Sequence, residues 1–296
     1  MEDPQEEEKP IVTISPSEAE VLLRCETEHH YQYDEGFQAQ SRNEGQDKGT
    51  LVHELTKVYY RRKLAILKKE DPGPPLDEQL TAMRLKMVPK LGLGPDDIQH
   101  VNKTVQEYFT FYQDEGWEPR AVEEWFHYPL FESDRTIYIL YGKMDIIVFV
   151  PRKDKLMVVD TKSGARIYQS SPLDVQPMAY CLGSGITTFC RNNIGLQKSL
   201  KIEERFTRPI WPYDPEQLEE FRVNLCNKLL LYEVNTALGR YPMNNSACMR
   251  NFRKCDFHDV CYALPSNRNR RLNAFFTRRS SKVQEIIQGA KEALKK

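Results

Sequence analysis

From Thr136 to Val150 the chain reads TIYILYGKMDIIVFV, a run rich in β-branched and aromatic residues. After a polar break at Pro151–Lys155 the strand pattern resumes as LMVVDTK over Leu156–Lys162. A turn centred on Arg152 and Lys153 makes these runs an antiparallel hairpin in which Asp145 stands opposite Asp160, on the same side of the sheet. Lys162, two residues beyond Asp160, joins that side by strand alternation. Further strands are predicted at Ala121–Phe131 (AVEEWFHYPLF), Gly185–Cys190 and Ser199–Pro209. Trp125 and Phe126 are expected in the core. Ser15-Pro16-Ser17-Glu18 opens a helix that carries Cys25 toward Tyr31. A polar stretch, Asp34–Lys48, leads to a second helix that contains His53 and continues to about Lys69, where Asp71-Pro72-Gly73-Pro74-Pro75 breaks it. Helices follow at 76–90 and 95–115, after Asp174, over Asp214–Leu238 and over Ser281–Lys295. Strands interleaved with helices predict an α/β chain.

The chain has 296 residues, enough to bury a sizeable core, and 42 basic against 43 acidic side chains leave a net charge of -1. Bulk charge therefore gives no argument for nucleic-acid binding. Basic character is local: Arg61, Arg62, Lys63, Lys68 and Lys69 in the second helix, and Arg268, Arg270, Arg271, Arg278, Arg279 and Lys282 in a tail without an acid until Glu285. Such clusters either track phosphates or form solvated faces. Residues 1–10 (MEDPQEEEKP) read as a disordered lead. No Walker-type G-x-x-x-x-G-K-[ST] segment occurs, so no motor is evident in the chain. Nothing resembles a secretory signal or a membrane anchor, and the expected setting is cytoplasmic, in a bacterium or a phage-infected host, rather than secreted.

Like charges facing each other across a ladder oppose folding unless something neutralises them. A divalent cation does so, since carboxylate oxygens hold hard ions such as Mg2+ or Mn2+ with positions left for water and phosphate. A neighbouring ammonium such as Lys162 can then orient that water. The competing reading is a surface hairpin with solvated charges. The wider pattern resembles the PD-(D/E)XK nuclease superfamily, in particular its RecB-like branch. Gly49-Thr50-Leu51-Val52-His53-Glu54 resembles the family's glycine-then-histidine helix, and Gln176-Pro177-Met178-Ala179-Tyr180 resembles its Q-x-x-x-Y motif following the D-x-K strand. Pro177 departs from a helical pattern, a conflict that vanishes if Asp174 caps the helix and Pro177 falls in its first turn.

The resemblance covers roughly residues 15–265 and implies a restriction-endonuclease-like core, a central mixed sheet flanked by helices, with a helical insertion at about 70–118. It implies that His53, Asp145, Asp160 and the Thr161 carbonyl hold Mg2+ or Mn2+, that Lys162 positions the attacking water, and that Gln176 and Tyr180 hold the flanking backbone. An acidic residue on the first strand assists such sites, and Glu124 is the candidate over Glu123. His29, His30, His100 and His127 have no motif context.

Seven cysteines are present. Cys248, Cys255 and Cys261 form a compact run near the C-terminus, and Cys25 lies far away in SPSEAEVLLRC. This distribution resembles the iron-sulfur subgroup of RecB-like nucleases, the AddB-type recombination nucleases and CRISPR adaptation nucleases, which implies a 4Fe-4S cluster on these thiols. A structural Zn2+ on the same thiols, or with His258 replacing one, stays open. Cys181, Cys190 and Cys226 lie among apolar neighbours and are expected in the core.

The expected organisation is a nuclease domain over 11–265, with Cys25 and 248–261 as its cluster region, and a basic tail over 266–296. The expected activity is a metal-dependent DNA exonuclease acting on single-stranded or end-resected DNA in replication, recombination or repair, with unwinding supplied by a helicase or recombination partner. Lack of an attached helicase suits a phage or mobile-element protein. The other readings are a non-catalytic DNA-binding or assembly factor that keeps the fold, and a redox protein resting on the cysteines alone.

Overall fold

The computed structural model describes residues 9–39, 44–165, 171–250 and 253–279. The described part of the chain runs β1 (Ile11–Ile14), α1 (Pro16–Arg24), α2 (Glu26–His29), a π-helical turn (His30–Asp34), β2 (Phe37–Ala39), α3 (Glu44–Lys68), α4 (Leu76–Met87) and α5 (Pro95–Phe111). It continues through β3 (Glu118–Glu132), β4 (Ile137–Val150), β5 (Lys155–Gly164), α6 (Val175–Ser184), β6 (Thr188–Gly195), α7 (Ile202–Arg205), β7 (Phe206–Thr207), β8 (Ile210–Pro212) and α8 (Pro215–Ala237). The last elements are β9 (Met249–Arg250), β10 (Arg253–Lys254), α9 (His258–Tyr262), α10 (Pro265–Phe275) and β11 (Phe276–Arg278). Among the described residues no helix is long and apolar enough to cross a membrane. The lead at residues 1–8 and the expected helix at 281–295 lie outside the described residues.

The fold is α/β, with a mixed sheet ordered β1-β4-β5-β6-β7 among the described residues, β3 also pairing with β4 and β8 with β6. β1 runs parallel to β4, β4 antiparallel to β5, and β5 parallel to β6. The chain divides into two compact units. One comprises residues 1–41, 127–141 and 219–296, the other 42–126 and 142–218. In the second, α3, α4 and α5 pack through Leu51, Leu55, Leu80, Val101 and Val105, while Tyr60 closes on Ile146, Val148, Met157 and Val159. Thus α4 and α5, the expected insertion, contribute buried side chains to this unit's core.

Three elements differ from the sequence-based expectation. The helix expected from Ser15 to Tyr31 is interrupted at Cys25, whose backbone is extended (φ -161, ψ 118). The strand expected at Gly185–Cys190 instead runs over β6, because Asn192 and Asn193 are buried and satisfied: Asn192 Nδ2 donates to Thr161 Oγ1 (3.1 Å) and Asn193 Nδ2 to Thr207 Oγ1 (3.1 Å). Ser199–Pro209 is not one strand, since Ile202–Arg205 forms a helical turn before the short β7. Arg205 is turned inward there, onto Glu107 (2.8 Å) and Thr104 (2.8 Å).

Candidate active site

The β4–β5 hairpin builds the site. Pro151–Lys153 forms a single 3-10 turn, and Asp154 takes the left-handed conformation that closes it (φ 48). The ladder then runs in step from Val150↔Lys155 to Ile146↔Val159. Asp145 and Asp160 are next in line, and there the Thr161 N–H donates to Asp145 Oδ2 (2.9 Å). On its other oxygen Asp145 meets His53 Nε2 at 2.7 Å, which α3 delivers. Asp160 is 2% exposed, and its Oδ1 accepts from Lys162 Nζ (3.1 Å). Its Oδ2 has no hydrogen-bond partner among the described residues. Burial, with the Asp145 charge adding to it, raises the Asp160 carboxyl above its ordinary range, against the pull of Lys162 and Arg191.

Helix α6 supplies the next pair. Asp174 is its N-cap and Pro177 lies in the first turn, so the proline removes no intrahelical bond. Gln176 Nε2 donates to Tyr180 Oη (3.0 Å), one helical turn on. Burial, and after it Asp160 and Asp145, push the Tyr180 phenol well above its usual value, so it remains a hydroxyl at neutral pH.

Glu124 is exposed, whereas Glu123 sits in a cluster of cations. Glu123 accepts from Lys57 (2.8 Å), Lys143 (2.8 Å) and Arg61, and Lys57 also pairs with Glu54 (2.6 Å). Burial alone raises this carboxyl, but the bonds from Lys143 and Lys57 outweigh it and hold it down at about 2. Glu123 has a left-handed backbone (φ 60), which breaks the alternation that any phasing of Glu123 against Glu124 needs. Trp125, expected in the core, is 54% exposed beyond this break, while Phe126 is buried as expected.

Residues missed from sequence include Arg191 and Asn192. Arg191 pairs across β5–β6 with Asp160, its Nε 4.0 Å from Asp160 Oδ2. Asn192, paired with Thr161, accepts from Tyr108 Oη (3.0 Å) and Arg208 Nε (3.0 Å) on the opposite side. Only knowledge of the β5–β6 pairing finds either. The basic cluster of α3 is partly spent internally: Lys63 pairs with Glu115 (3.1 Å), and Arg62 donates to the Pro72, Gly73 and Pro74 carbonyls.

In the other unit, Cys25, Cys248, Cys255 and Cys261 line one small cavity with Asn244, Phe257 and His258. The extended Cys25 sits between α1 and α2, the β9–β10 pair brings Cys248 and Cys255 together through Cys255 N–H to Cys248 O (2.9 Å), and α9 carries Cys261. Burial, with Cys25 and Cys248 adding to it, pushes the Cys261 thiol up to about 11. Arg268 of the basic tail donates to the Cys261 carbonyl (3.2 Å), and Arg271 to that of Asp259 (3.1 Å). Cys181, Cys190 and Cys226 are buried, as expected. As placed, no three His, Cys, Asp or Glu side chains among the described residues are gathered closely enough to hold a metal ion.

The sequence matches the profile of the PD-(D/E)XK nuclease superfamily over residues 13–262, a span that includes the hairpin, the His53 helix and the Q-x-x-x-Y helix. The chain belongs to the PD-(D/E)XK nuclease superfamily. Its mixed sheet flanked by helices agrees with the restriction-endonuclease-like core of that superfamily, whose members generally use divalent metals such as Mg2+. Among solved structures it is similar to a Eubacterium rectale protein provisionally described as an exonuclease (12% identity, TM-score 0.46, 85% of this chain and 89% of that one). It is also similar to a protein described as SSO0001 (12% identity, TM-score 0.35, 76% of this chain and 79% of that one). No curated protein matches it.

Proposed function

We propose that this chain is a metal-dependent deoxyribonuclease of the RecB-like branch, an exonuclease on single-stranded or end-resected DNA in replication, recombination or repair. The observation that carries the reading is the buried Asp160, with Lys162 on one oxygen and, among the described residues, no hydrogen bond on the other, where the Arg191 guanidinium stands 4.0 Å away, beside an Asp145 anchored by His53 and the Thr161 N–H. A buried carboxylate oxygen without a hydrogen bond costs free energy that a hard cation recovers, so the donor set fits Mg2+ or Mn2+. His53, Asp145, Asp160 and the Thr161 carbonyl would hold it. When bound, the ion supplies Lewis-acid stabilisation of the phosphate charge and a more acidic water.

The chain's own residues do the rest. Lys162 holds the water in line with the P–O3' bond. The water oxygen forms the new bond to phosphorus and gives up a proton to solvent, while the P–O3' bond breaks and the 3' oxygen leaves, taking a proton from solvent to become the hydroxyl. Gln176 and Tyr180 hold the adjoining phosphate as donors, which the protonated Tyr180 can do throughout the neutral range. Glu124, exposed on β3 beside Glu123 and its cations, is the acidic residue that would assist at the ion. Unwinding is left to a helicase or recombination partner.

Two further assignments complete the reading. Residues 11–265 act as the nuclease domain, with 266–296 as a basic extension. The four thiols lining one cavity fit a 4Fe-4S cluster in donor type and number, with Zn2+ as the other ion that the same set can take.

The test is cleavage of end-labelled single- and double-stranded DNA with Mg2+, Mn2+ or EDTA. Cleavage is expected with either ion and not with EDTA. Lys162→Ala is expected to lower the rate by at least a hundredfold while leaving the protein folded and its DNA affinity in EDTA largely intact. Lys162→Ala cutting as fast as the parent would remove Lys162 from the chemistry, and absence of cleavage by the parent under every condition would leave a binding protein on a nuclease fold.

A further inference from the structure

A tryptophan facing water next to a candidate phosphodiester site needs a reason. Trp125 is 54% exposed and its neighbour Phe126 only 6%. Glu123, two residues earlier, is held left-handed (φ 60), a conformation that costs energy for any residue but glycine, and three cations fix its carboxylate there. A break of this kind re-aims the side chains that follow it. The Trp125 ring then lies with Lys143 Nζ 5.4 Å from its centre. Lys143 stands two residues before Asp145 on β4, on the same side of the strand, about 7 Å along it.

Lys143 and Arg61 keep their side chains 39% and 50% exposed in spite of their shared partner Glu123. An exposed indole flanked by accessible cations has the composition of a surface that takes a base on its face and the adjoining phosphates on its ammonium and guanidinium groups. A base inside a duplex has both faces covered, and a terminal pair presents its open face rigidly across both strands, whereas an unpaired base is free to turn onto one indole with its phosphates beside the cations, so the occupant is an unpaired one.

We propose that Trp125 is a stacking platform for one unpaired nucleobase of the DNA strand whose phosphodiester is held at Asp145 and Asp160, and that Lys143 and Arg61 hold the phosphates beside it. The location of that phosphate rests on the nuclease reading. The stacking itself can be measured without cleavage. It assigns the preference for single-stranded DNA or melted ends to a particular side chain.

Affinity is measured in EDTA, where no hydrolysis occurs, for a short fluorescent oligothymidylate and for an abasic oligonucleotide of the same length. The parent protein is expected to favour the thymidylate about tenfold. Trp125→Ala is expected to bind both alike, at the parent's affinity for the abasic strand, and Trp125→Phe to keep most of the preference. Because the ring is exposed, these variants should fold, which circular dichroism and the melting midpoint check. Equal affinity of parent and Trp125→Ala for the thymidylate overturns the proposal, and so does a loss of equal size on both ligands. A protein that never cleaves but shows the Trp125-dependent base preference retains the platform and loses the hydrolytic reading.

Discussion

At the scale of single residues, the site depends on side chains that never face it. Asn192 is wholly buried on β6, and its amide joins two parts of the structure. On one side it accepts from Tyr108 and from Arg208, itself paired with Glu115 and lying over the Tyr112 ring at 3.4 Å. On the other it donates to Thr161, whose main-chain N–H holds Asp145. Replacing Asn192 by Ala leaves the Tyr108 hydroxyl, the Arg208 Nε and the Thr161 hydroxyl short of a partner in the interior. Such losses cost about 1–3 kcal/mol each when water cannot reach the group, and the remaining bonds of Arg208 to Glu115 and Tyr60 limit the sum. Asn192→Ala is therefore expected to lower stability by about 2–3 kcal/mol in urea unfolding. A change below about 0.5 kcal/mol, the range of ordinary surface substitutions, would mean that the network carries little.

At the scale of elements, α6 is held against β3 by a contact that has no room. A Cβ on Gly183 would stand 2.1 Å from Cδ2 and Cε2 of Phe126, a buried ring that cannot swing into solvent. Phe126 also meets Tyr180 edge-on, with ring centres 6.0 Å apart. Gly183→Ala must therefore push α6 away from the strand and carry Gln176 and Tyr180 with it. The expected result is about 1–3 kcal/mol of destabilisation together with a loss of cleavage rate. Phe126→Leu combined with Gly183→Ala should recover much of both, because the two residues share one volume and their effects couple. Additive penalties in the double variant, read by urea unfolding, would show that the contact does not set the helix position. Local pattern made some of this legible in the sequence. The alternation of β4 and β5, the turn at Arg152 and Lys153, the helix stop at Asp71–Pro75 and the cap at Asp174 follow from neighbouring residues alone, and they bring Asp145, Asp160 and Lys162 together. What stayed hidden depends on distant chain or on a broken period. β1 is only four residues, IVTI, and is ordered by parallel pairing with β4. The polar run in β6 reads as loop until Thr161 and Thr207 satisfy its asparagines. Glu123 and Trp125 lie at the left-handed break, where period-two reading gives the wrong side.

At the scale of the whole molecule, the chain's two long termini belong to one compact unit and the candidate catalytic groups to the other. In the first unit the small core of Tyr31, Phe37, Phe257, Val260, Leu272 and Phe276 has Cys255 and Cys261 packed against it, and β11 closes on β2 through Phe276↔Ala39. Six buried side chains among the described residues make a slight core for segments so far apart in sequence, and the group proposed at the thiols of Cys25 and of Cys248–Cys261 would add a tie between them. Whatever binds the folded thiols and not the unfolded chain raises stability by mass action. Anaerobically purified protein is expected to carry iron and labile sulfide and a broad absorbance shoulder near ~400 nm. Cys255→Ser should lose the shoulder and lower the melting midpoint by several degrees, whereas Cys181→Ser, buried in the other unit, should keep the shoulder. Zinc in place of iron, with no shoulder but the same drop in midpoint, would assign the tie to Zn2+. An unchanged midpoint in Cys255→Ser would mean that the apolar contacts, the β2–β11 pairing and polar ties such as Lys228 to Glu26 (2.6 Å) and Thr27 to the Tyr241 carbonyl (2.6 Å) hold the two termini without a group bound at the thiols.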